Sequence, residues 1–377
     1  MTLDISRIPT PCYVLEEEKL RANLNLMEQV QQASGGKIIL ALKGYAMWST
    51  FPIIREVLHG CTASSLNEAR LAAEEFGKEV HVYAPAYTDA EFPEILKLAH
   101  HITFNSFNQW AKFGQRALAA GVSCAIRVNP QVSEVAVDMY NPCGSTSRLG
   151  VTPEEFQPEA LEGIEGLHFH ALCECGAESL ERTLAAFEQH FGQWIPQMKW
   201  INFGGGHLMT REGYDLELLI RLVKEFRERY DVEVYLEPGG AVGWQTGPLV
   251  ASVLDIVHNN MDIAILDTSA AAHMPDVLEM PYRPEIAGGY DPGVKAQTYR
   301  LGGPSCLAGD IIGDWSFESS LKPGDRLAFL DMAHYTMVKT TTFNGVQHPH
   351  LCTYEPETGE LQVVRSFVYE DFRGRLS

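Results

Sequence analysis

The sequence predicts an α/β protein made of a (β/α)8, TIM-like barrel and a mainly β C-terminal domain. Across residues 37–240, eight short apolar runs alternate with longer amphipathic stretches. This alternation is typical of strand–helix units around a parallel sheet, and eight such units are the number that closes a barrel. After residue 248 the pattern changes to short strand-like runs separated by Gly, Pro and Asp turns.

The predicted barrel strands are short runs rich in β-branched and aliphatic residues. They cover residues 37–43, 61–65, 80–85, 101–106, 123–130, 166–172, 200–206 and 232–240. Between them, helical periodicity predicts helices. The main ones are Leu66–Phe76, Ala90–Leu98, Phe107–Ala120, Ser179–Phe191 and Leu216–Tyr230.

The second domain is predicted to be a β-sandwich or β-barrel. Its strand-like runs cover residues 249–257, 261–267, 326–331, 335–345 and 361–369. The N-terminal run PTPCYVLEE is also strand-like and precedes the first barrel helix, so it can join the same sheet. We therefore expect a barrel over residues 22–248 and a β domain formed by residues 1–21 with 249–377.

Amino-acid composition and net charge limit the kinds of molecule that the protein is expected to bind. The chain has 49 acidic against 29 basic residues, a formal net charge of -20. This charge disfavours nucleic acid and anionic membranes, whereas a cationic small molecule would be attracted. The eight cysteines lack the spacing of a disulfide framework, and neither a secretion signal nor an apolar run of membrane-spanning length is visible. A cytoplasmic protein with reduced thiols is expected.

Lys43 closes the first predicted strand behind the apolar run IILAL. In β/α barrels the carboxyl ends of the strands form the active site. Desolvation there would lower the pKa of the ammonium and supply a neutral amine able to form a Schiff base. The alternative is a lysine that only begins a solvated loop.

The ends of strands seven and eight carry glycines and one carboxylate. Gly204–Gly206 and Gly239–Gly240 could let backbone N–H groups approach a phosphate, although each could also be a tight bend. Glu237 ends an apolar strand, where a carboxylate needs a cationic partner. That partner could be a pyridinium nitrogen or a neighbouring Lys or Arg.

His168 and His170 lie two residues apart and so face the same side of one strand, followed by Cys173 and Cys175. A zinc site is conceivable, but the HxH and CxC spacings differ from those of common zinc ligand pairs. An imidazole stacked on a cofactor ring explains His170 equally well. His168 is interpreted as a core histidine, and no metal is expected.

With these residues in place, the chain resembles the fold-type III pyridoxal 5'-phosphate (PLP) decarboxylases, which share the alanine racemase-like fold and include ornithine, arginine and diaminopimelate decarboxylases. The similar segments span nearly the whole chain. They are PTPCYVLEEEKLRAN, ALKGYA, RVNPQ, SRLG, GGPSCLAGD and DMAHYTMVKTTTFNG.

The resemblance implies roles for individual residues. Lys43 would carry PLP as a Schiff base, His170 would stack on its ring, and Glu237 would pair with its ring nitrogen. Cys306, delivered from the partner subunit of a homodimer with shared active sites, would return a proton to the substrate carbon after CO₂ leaves. The phosphate would be held by residues that the family pattern places around it. They are Gly205, Gly206, Gly239, Gly240 and Tyr335.

Departures from the amino-acid decarboxylases point to a different substrate. The chain has EPGG where those enzymes have EPGR, and Leu307 rather than an acid after Cys306. The segment at 266–284, LDTSAAAHMPDVLEMPYRP, resembles the branch of the family that decarboxylates carboxynorspermidine and carboxyspermidine. That resemblance implies a cationic carboxylated polyamine as substrate. The implied substrate contacts are Glu237, His273, Asp276 and Asp310, of which the last three could instead be structural polar residues at a dimer contact.

Four alternatives stay open at this point. The chain could decarboxylate a basic amino acid such as ornithine, arginine or diaminopimelate. It could be an amino-acid racemase, although racemases of this fold place arginine, not glutamate, against the ring nitrogen. It could bind PLP as a regulatory protein without turnover. It could also be a zinc hydrolase using His168, His170 and a cysteine.

Overall fold

The computed structural model describes residues 3–135 and 137–377. Contacts divide the chain into two units, one formed by residues through Ala22 with Gly243–Ser377 and the other by Asn23–Val242. None of the helices in the described residues is long and apolar enough to cross a membrane.

The elements are numbered in chain order. The strands are β1 (Cys12–Glu16), β2 (Lys37–Ile38), β3 (Leu40–Ala41), β4 (Gly60–Ala63), β5 (Glu79–Tyr83), β6 (His101–Phe104), β7 (Ser123–Arg127), β8 (Gly166–His168), β9 (Trp200–Asn202), β10 (Glu233–Leu236), β11 (Leu249–Asn259), β12 (Met261–Leu266), β13 (Gln297–Gly302), β14 (Ile311–Phe317), β15 (Arg326–Phe329), β16 (His350–Glu355) and β17 (Glu360–Arg365). The α-helices are α1 (Glu17–Ser34), α2 (Phe51–Val57), α3 (Leu66–Leu71), α4 (Phe92–Leu98), α5 (Phe107–Ala119), α6 (Ala177–Phe191), α7 (Leu216–Tyr230), α8 (Gly240–Gly243), α9 (Ala270–His273), α10 (Asp276–Glu279), α11 (Tyr335–Val338) and α12 (Tyr369–Arg373).

Strands β2 to β10 form a parallel barrel, which confirms the predicted fold class. The order is β2-β10-β9-β8-β7-β6-β5-β4-β3. Nine strands appear instead of eight because the first predicted strand is interrupted at Ile39, whose N–H donates to Leu236 O at 2.9 Å. β2 pairs with β10 and β3 pairs with β4, so these two short strands together occupy the first of eight positions.

The helices around the barrel follow the predicted periodicity closely. α7 has the predicted bounds, and the predicted helix at 66–76 is α3 continued by a π-helical turn over Ala72–Phe76. Ser65, Ser106 and Asp215 cap α3, α5 and α7 by accepting hydrogen bonds from backbone N–H groups in their first turns. These caps fix where the helices begin.

The second unit is a mixed sheet with the order β14-β13-β12-β11-β1-β16-β17, and β15 pairs with β11. The N-terminal strand does join it: β1 is antiparallel to β11 and parallel to β16. Val14, Val250 and Cys352 are fully buried in its core. The prediction of a strand at 335–345 is wrong, since this segment forms α11 and a 3-10 turn at Phe343–Gly345. The Thr341 N–H instead donates to Ala272 O at 2.7 Å, so a tertiary contact overrides its β propensity.

A polar cluster occupies the amino end of the barrel, opposite the expected active site. The potential ligand atoms of Glu79, His81 and His101 lie within 4.8 Å of one another. However, the two imidazole rings are stacked with centroids 4.0 Å apart, so their in-plane lone pairs run side by side rather than converging on one point. The Lys37 ammonium also lies 3.9 Å from Glu79 Oε1. We interpret the cluster as a structural hydrogen-bonding network at the amino end of the barrel.

Glu79 should stabilise the fold in a pH-dependent way. Its hydrogen bond with His81, at 3.2 Å, outweighs partial burial and lowers the pKa of the carboxyl to about 2. A lowered folded-state pKa gives stability that is present above the unfolded value and lost as pH falls toward the folded one. Since the Glu79 side chain is 33% exposed, we discount the full shift and expect Glu79→Gln to cost about 1–2 kcal/mol at pH 7.

Urea unfolding of wild type and Glu79→Gln at several pH values measures this difference, which should shrink between about pH 4.5 and about pH 2. Glu74→Gln, in the exposed pair with Arg70, is the matched control and should change the urea midpoint little at any pH. A Glu79→Gln difference that stays constant as pH falls would contradict the ionic origin of the effect.

Candidate active site

Lys43 follows β3 in a turn closed by hydrogen bonds from the Gly44 and Tyr45 N–H groups to Ala41 O, at 3.0 and 3.2 Å. Its neighbours Leu42 and Gly44 are buried, whereas its own side chain is open to solvent. Desolvation by the surrounding protein, followed by the Arg127 guanidinium, nevertheless lowers the pKa of the Lys43 ammonium. Lys43 thus lies at the carboxyl end of the barrel strands, where the sequence places it, and its role as a reactive amine stays a prediction beside that of a lysine at the start of a solvated loop.

Arg127, the last residue of β7, is the fixed positive charge beside this amine. It is 4% exposed, its guanidinium carbon lies 4.6 Å from the centre of the Tyr83 ring, and its Nη2 donates to His170 O at 3.3 Å. This packing holds the cation in place. Sequence reasoning assigned Arg127 no role, although its position at a strand end was a visible signal.

His170 presents a flat neutral ring held by the neighbouring loop. The Gly205 N–H donates to its Nδ1 at 2.9 Å, so Nδ1 is unprotonated and the ring proton is on Nε2. Desolvation and the Lys43 charge hold the pKa of His170 well below its usual value. The predicted strand at 166–172 is too long, because β8 ends at His168 and His170 lies in the loop beyond it. The Gly205 N–H is thus already engaged.

The glycine loops pack so closely that their backbone atoms lie directly against the backbone of neighbouring segments. A Cβ on Gly205 would lie 2.4 Å from Glu237 O, and one on Gly206 would lie 2.1 Å from Leu172 O. Gly206 also has a φ of +88°, which disfavours other residues. A Cβ on Gly239 would be 2.9 Å from Ala41 O. Close packing of the loops after the first, sixth, seventh and eighth strands therefore requires these glycines, and it leaves that rim of the barrel without side chains.

Glu237 is an oriented carboxylate at the end of β10. Asn202 Nδ2 donates to its Oε1 at 2.8 Å, and His168 Nε2 lies 3.7 Å from its Oε2. Burial would raise the pKa of Glu237, but His168 and the Asn202 amide outweigh burial and lower it to about 2. His168 is 2% exposed, in keeping with its interpretation as a core histidine, and it lies beside this carboxylate. Sequence reasoning missed Asn202, whose signal was an amide within the apolar run WINF.

The remaining predicted site residues lie in the sheet unit. Cys306 is exposed between β13 and β14, and Tyr335 begins α11. His273 is fully buried in α9, and its carbonyl accepts a hydrogen bond from Tyr13. Asp276 is half-buried and pairs with Lys339 Nζ at 2.5 Å, so its charge is already compensated within this unit.

Asp310 is 3% exposed and follows the turn that carries Cys306.

Among the described residues, no cluster of three potential metal ligands contains His168, His170 or a cysteine. His170 Nδ1 is moreover occupied by the Gly205 N–H. The arrangement thus gives no support to a zinc hydrolase.

A family model described as pyridoxal-dependent decarboxylase, C-terminal sheet domain, matches residues 12–333. The chain belongs to the pyridoxal-dependent decarboxylases. It is 50% identical over 374 residues to the carboxyaminopropylagmatine decarboxylase of Synechocystis sp., covering 99% of this chain and 96% of that protein. It is 48% identical over 377 residues to the carboxynorspermidine/carboxyspermidine decarboxylase of Campylobacter jejuni, covering 97% and 98%.

A crystal structure of carboxynorspermidine decarboxylase complexed with norspermidine, also from Campylobacter jejuni, superposes with a TM-score of 0.91 at 48% identity, covering 98% of this chain and all of that one. The predicted family, its fold and the decarboxylase class are thereby confirmed. The Synechocystis relative adds a substrate that sequence reasoning did not consider.

The residues present suit the pyridoxal cofactor after which the family is named. Lys43 offers a desolvated amine, and Glu237 an oriented carboxylate able to hold a ring nitrogen in its protonated form. Glutamate at this position favours a decarboxylase over a racemase.

Proposed function

We propose that this enzyme decarboxylates carboxynorspermidine and carboxyspermidine to norspermidine and spermidine. The observation that carries decarboxylation is the carboxylate of Glu237, held by Asn202 after β10. β10 pairs with β2, and Lys43 follows β3 in the same barrel position. The two relatives from Campylobacter jejuni act on or bind these polyamines by name. The net charge of -20 suits a polycationic substrate, which it would attract at long range.

Bound PLP would supply an electron sink for the electron pair left behind when CO₂ departs. Lys43 would hold the cofactor through its amine, whose pKa is lowered by desolvation and by the Arg127 charge. The flat His170 ring would lie against the cofactor ring, fixed by its hydrogen bond from Gly205. Glu237 would hold a proton at the ring nitrogen. The phosphate would be held at the rim formed by Gly205, Gly206, Gly239 and Gly240, where the Gly205 N–H is already engaged with His170. Tyr335 of the sheet unit would be a further phosphate contact.

Cys306 would give a proton to the substrate carbon after CO₂ leaves, and in a homodimer it would serve the active site of the partner subunit. Its exposure in this single chain is compatible with such a role. Asp276 would approach the substrate, exchanging its pairing with Lys339 for a substrate ammonium. His273 is fully buried in α9, so we do not extend the proposal to a substrate contact by its side chain.

Carboxyaminopropylagmatine is a second candidate substrate, because the Synechocystis relative that bears its name is 50% identical over nearly the whole chain. It shares the carboxylated aminopropyl end but carries a guanidinium at the other end. The enzyme's reacting groups would treat both substrates alike, so the choice depends on whichever residues contact the distal cation. A planar guanidinium and a compact ammonium need different acceptor geometries.

A comparison of kcat/KM by CO₂ release tests the proposal. The panel is carboxynorspermidine, carboxyspermidine, carboxyaminopropylagmatine, ornithine and diaminopimelate. We expect the first two to exceed ornithine and diaminopimelate by at least about 100-fold, and to differ from each other by only about 1–3 kcal/mol, because they differ by one methylene. Efficient turnover of ornithine or diaminopimelate would overturn the polyamine assignment. A clear preference for carboxyaminopropylagmatine would establish the second candidate instead.

A further inference from the structure

The turn that carries Cys306 has little structure of its own. It connects β13 to β14 through small or exposed residues, and Cys306 to Gly309 are all exposed. A short exposed turn of this kind would ordinarily sample several conformations. A thiol that must deliver a proton to one carbon atom needs a single well-defined position, so something outside the turn must hold it.

Asp310, at the end of the turn, supplies one such restraint. Its carboxylate accepts hydrogen bonds on Oδ2 from Ser305 Oγ at 2.6 Å, Ser305 N at 3.3 Å and Ser269 Oγ at 2.9 Å. Its Oδ1 accepts from Ala271 N at 3.2 Å. These four hydrogen bonds tie the residue immediately before Cys306 to the start of α9. Oδ2 therefore has three donors and Oδ1 has one, all of them from within this unit.

Close packing around the Asp310 carboxylate further restrains the turn that carries Cys306. The Gly303 N–H donates to the backbone oxygen of Asp310 at 2.9 Å, and a Cβ on Gly303 would lie 2.3 Å from Asp310 Oδ2. Only glycine therefore lets the turn close over the carboxylate. On the other side, Asn344 Oδ1 accepts a hydrogen bond from the Cys306 N–H at 2.7 Å. Cys306 is thus flanked by two side-chain restraints.

We propose that Asp310 is a positioning residue that fixes the Cys306 thiol through Ser305, rather than a residue that binds the substrate. This inference rests on the proposed role of Cys306 as the proton donor. It revises the expectation from sequence that Asp310 contacts the substrate, because Asp310 is 3% exposed and both of its carboxylate oxygens already accept hydrogen bonds from their own unit.

The test compares PLP-loaded wild type with Asp310→Asn and the milder Ser305→Ala. Two quantities are measured: kcat and KM on carboxynorspermidine, and the rate at which iodoacetamide alkylates Cys306, mapped by mass spectrometry. A positioning role lowers kcat by about 10- to 100-fold, changes KM by less than about threefold, and changes the alkylation rate at Cys306 by at least about threefold. Asp314→Asn, which breaks the Arg300 pair on the adjacent strand, is the matched control and should leave all three quantities unchanged.

A double variant separates this inference from the proposed function. If Asp310 acts through the thiol, Asp310→Asn added to Cys306→Ala lowers kcat no further. A rise in KM with unchanged kcat in Asp310→Asn would show direct substrate binding and overturn the inference, as would wild-type alkylation kinetics. If instead Cys306→Ala retains wild-type kcat, the proton-donor role fails, while the alkylation rates still report whether Asp310 holds the turn.

Discussion

Replacing Lys43 with alanine is expected to abolish covalent retention of PLP and to lower kcat by at least about 1,000-fold. Lys43 is the accessible, desolvated amine after β3, and its lowered pKa supplies the unprotonated form that bonds to an aldehyde. Wild type should absorb near about 420 nm after purification with PLP, and the variant should lose this band. Borohydride reduction and peptide mass spectrometry should locate the cofactor on Lys43.

Lys37→Ala is the matched control, because Lys37 lies on the same predicted strand but in the polar cluster at the amino end of the barrel. This variant should keep the absorption band. A reduced cofactor adduct found on any other lysine would show that the site has been misassigned.

Replacing Glu237 with glutamine should leave PLP bound but lower kcat by about 100- to 1,000-fold. The amide keeps the shape of the side chain but cannot hold a proton at the ring nitrogen as a carboxylate does. The electron sink for the departing CO₂ would therefore weaken. Since Asn202 donates to Oε1, glutamine can still accept this hydrogen bond, but the melting temperature should fall, because a carboxylate whose pKa is lowered to about 2 stabilises the fold at neutral pH.

Steady-state kinetics together with the absorption spectrum of the bound cofactor measure this effect. Glu233→Gln, on the same strand but at the amino end of the barrel, is the control and should retain wild-type kcat. If Glu237→Gln keeps full activity with the cofactor bound, the carboxylate is not needed to protonate the ring nitrogen.

The barrel could be predicted from sequence because its strands and helices each follow a regular apolar period and alternate without interruption. Lys43 and Glu237 could be located because they end such strands. The hydrogen bond from Gly205 to His170 could not be predicted, since it depends on how two loops distant in sequence pack. The amide of Asn202 within the run WINF was visible in the sequence, but its hydrogen bond to Glu237 depends on the packing of two separate strands.

The sheet unit was harder to predict because its strands have varied lengths and its pairing is non-local. The run at 335–345 is rich in β-branched residues, and yet tertiary hydrogen bonds turn it into α11 and a 3-10 turn. Asp310 illustrates a second limit. The family resemblance implied that it contacts the substrate, but only the structure shows that its carboxylate accepts hydrogen bonds from Ser269 and Ser305.

The position of β1 has a consequence for how the chain folds during synthesis. Cys12 pairs with Val250 on one side and His350 on the other, although it leaves the ribosome long before either. At about 5–20 residues per second, β1 waits roughly tens of seconds for its partners while the whole barrel is made between them. During that time an apolar strand has both edges unpaired, which is the condition that favours aggregation. We therefore expect the barrel to be the first unit to fold, with the sheet completed only as the last strands emerge.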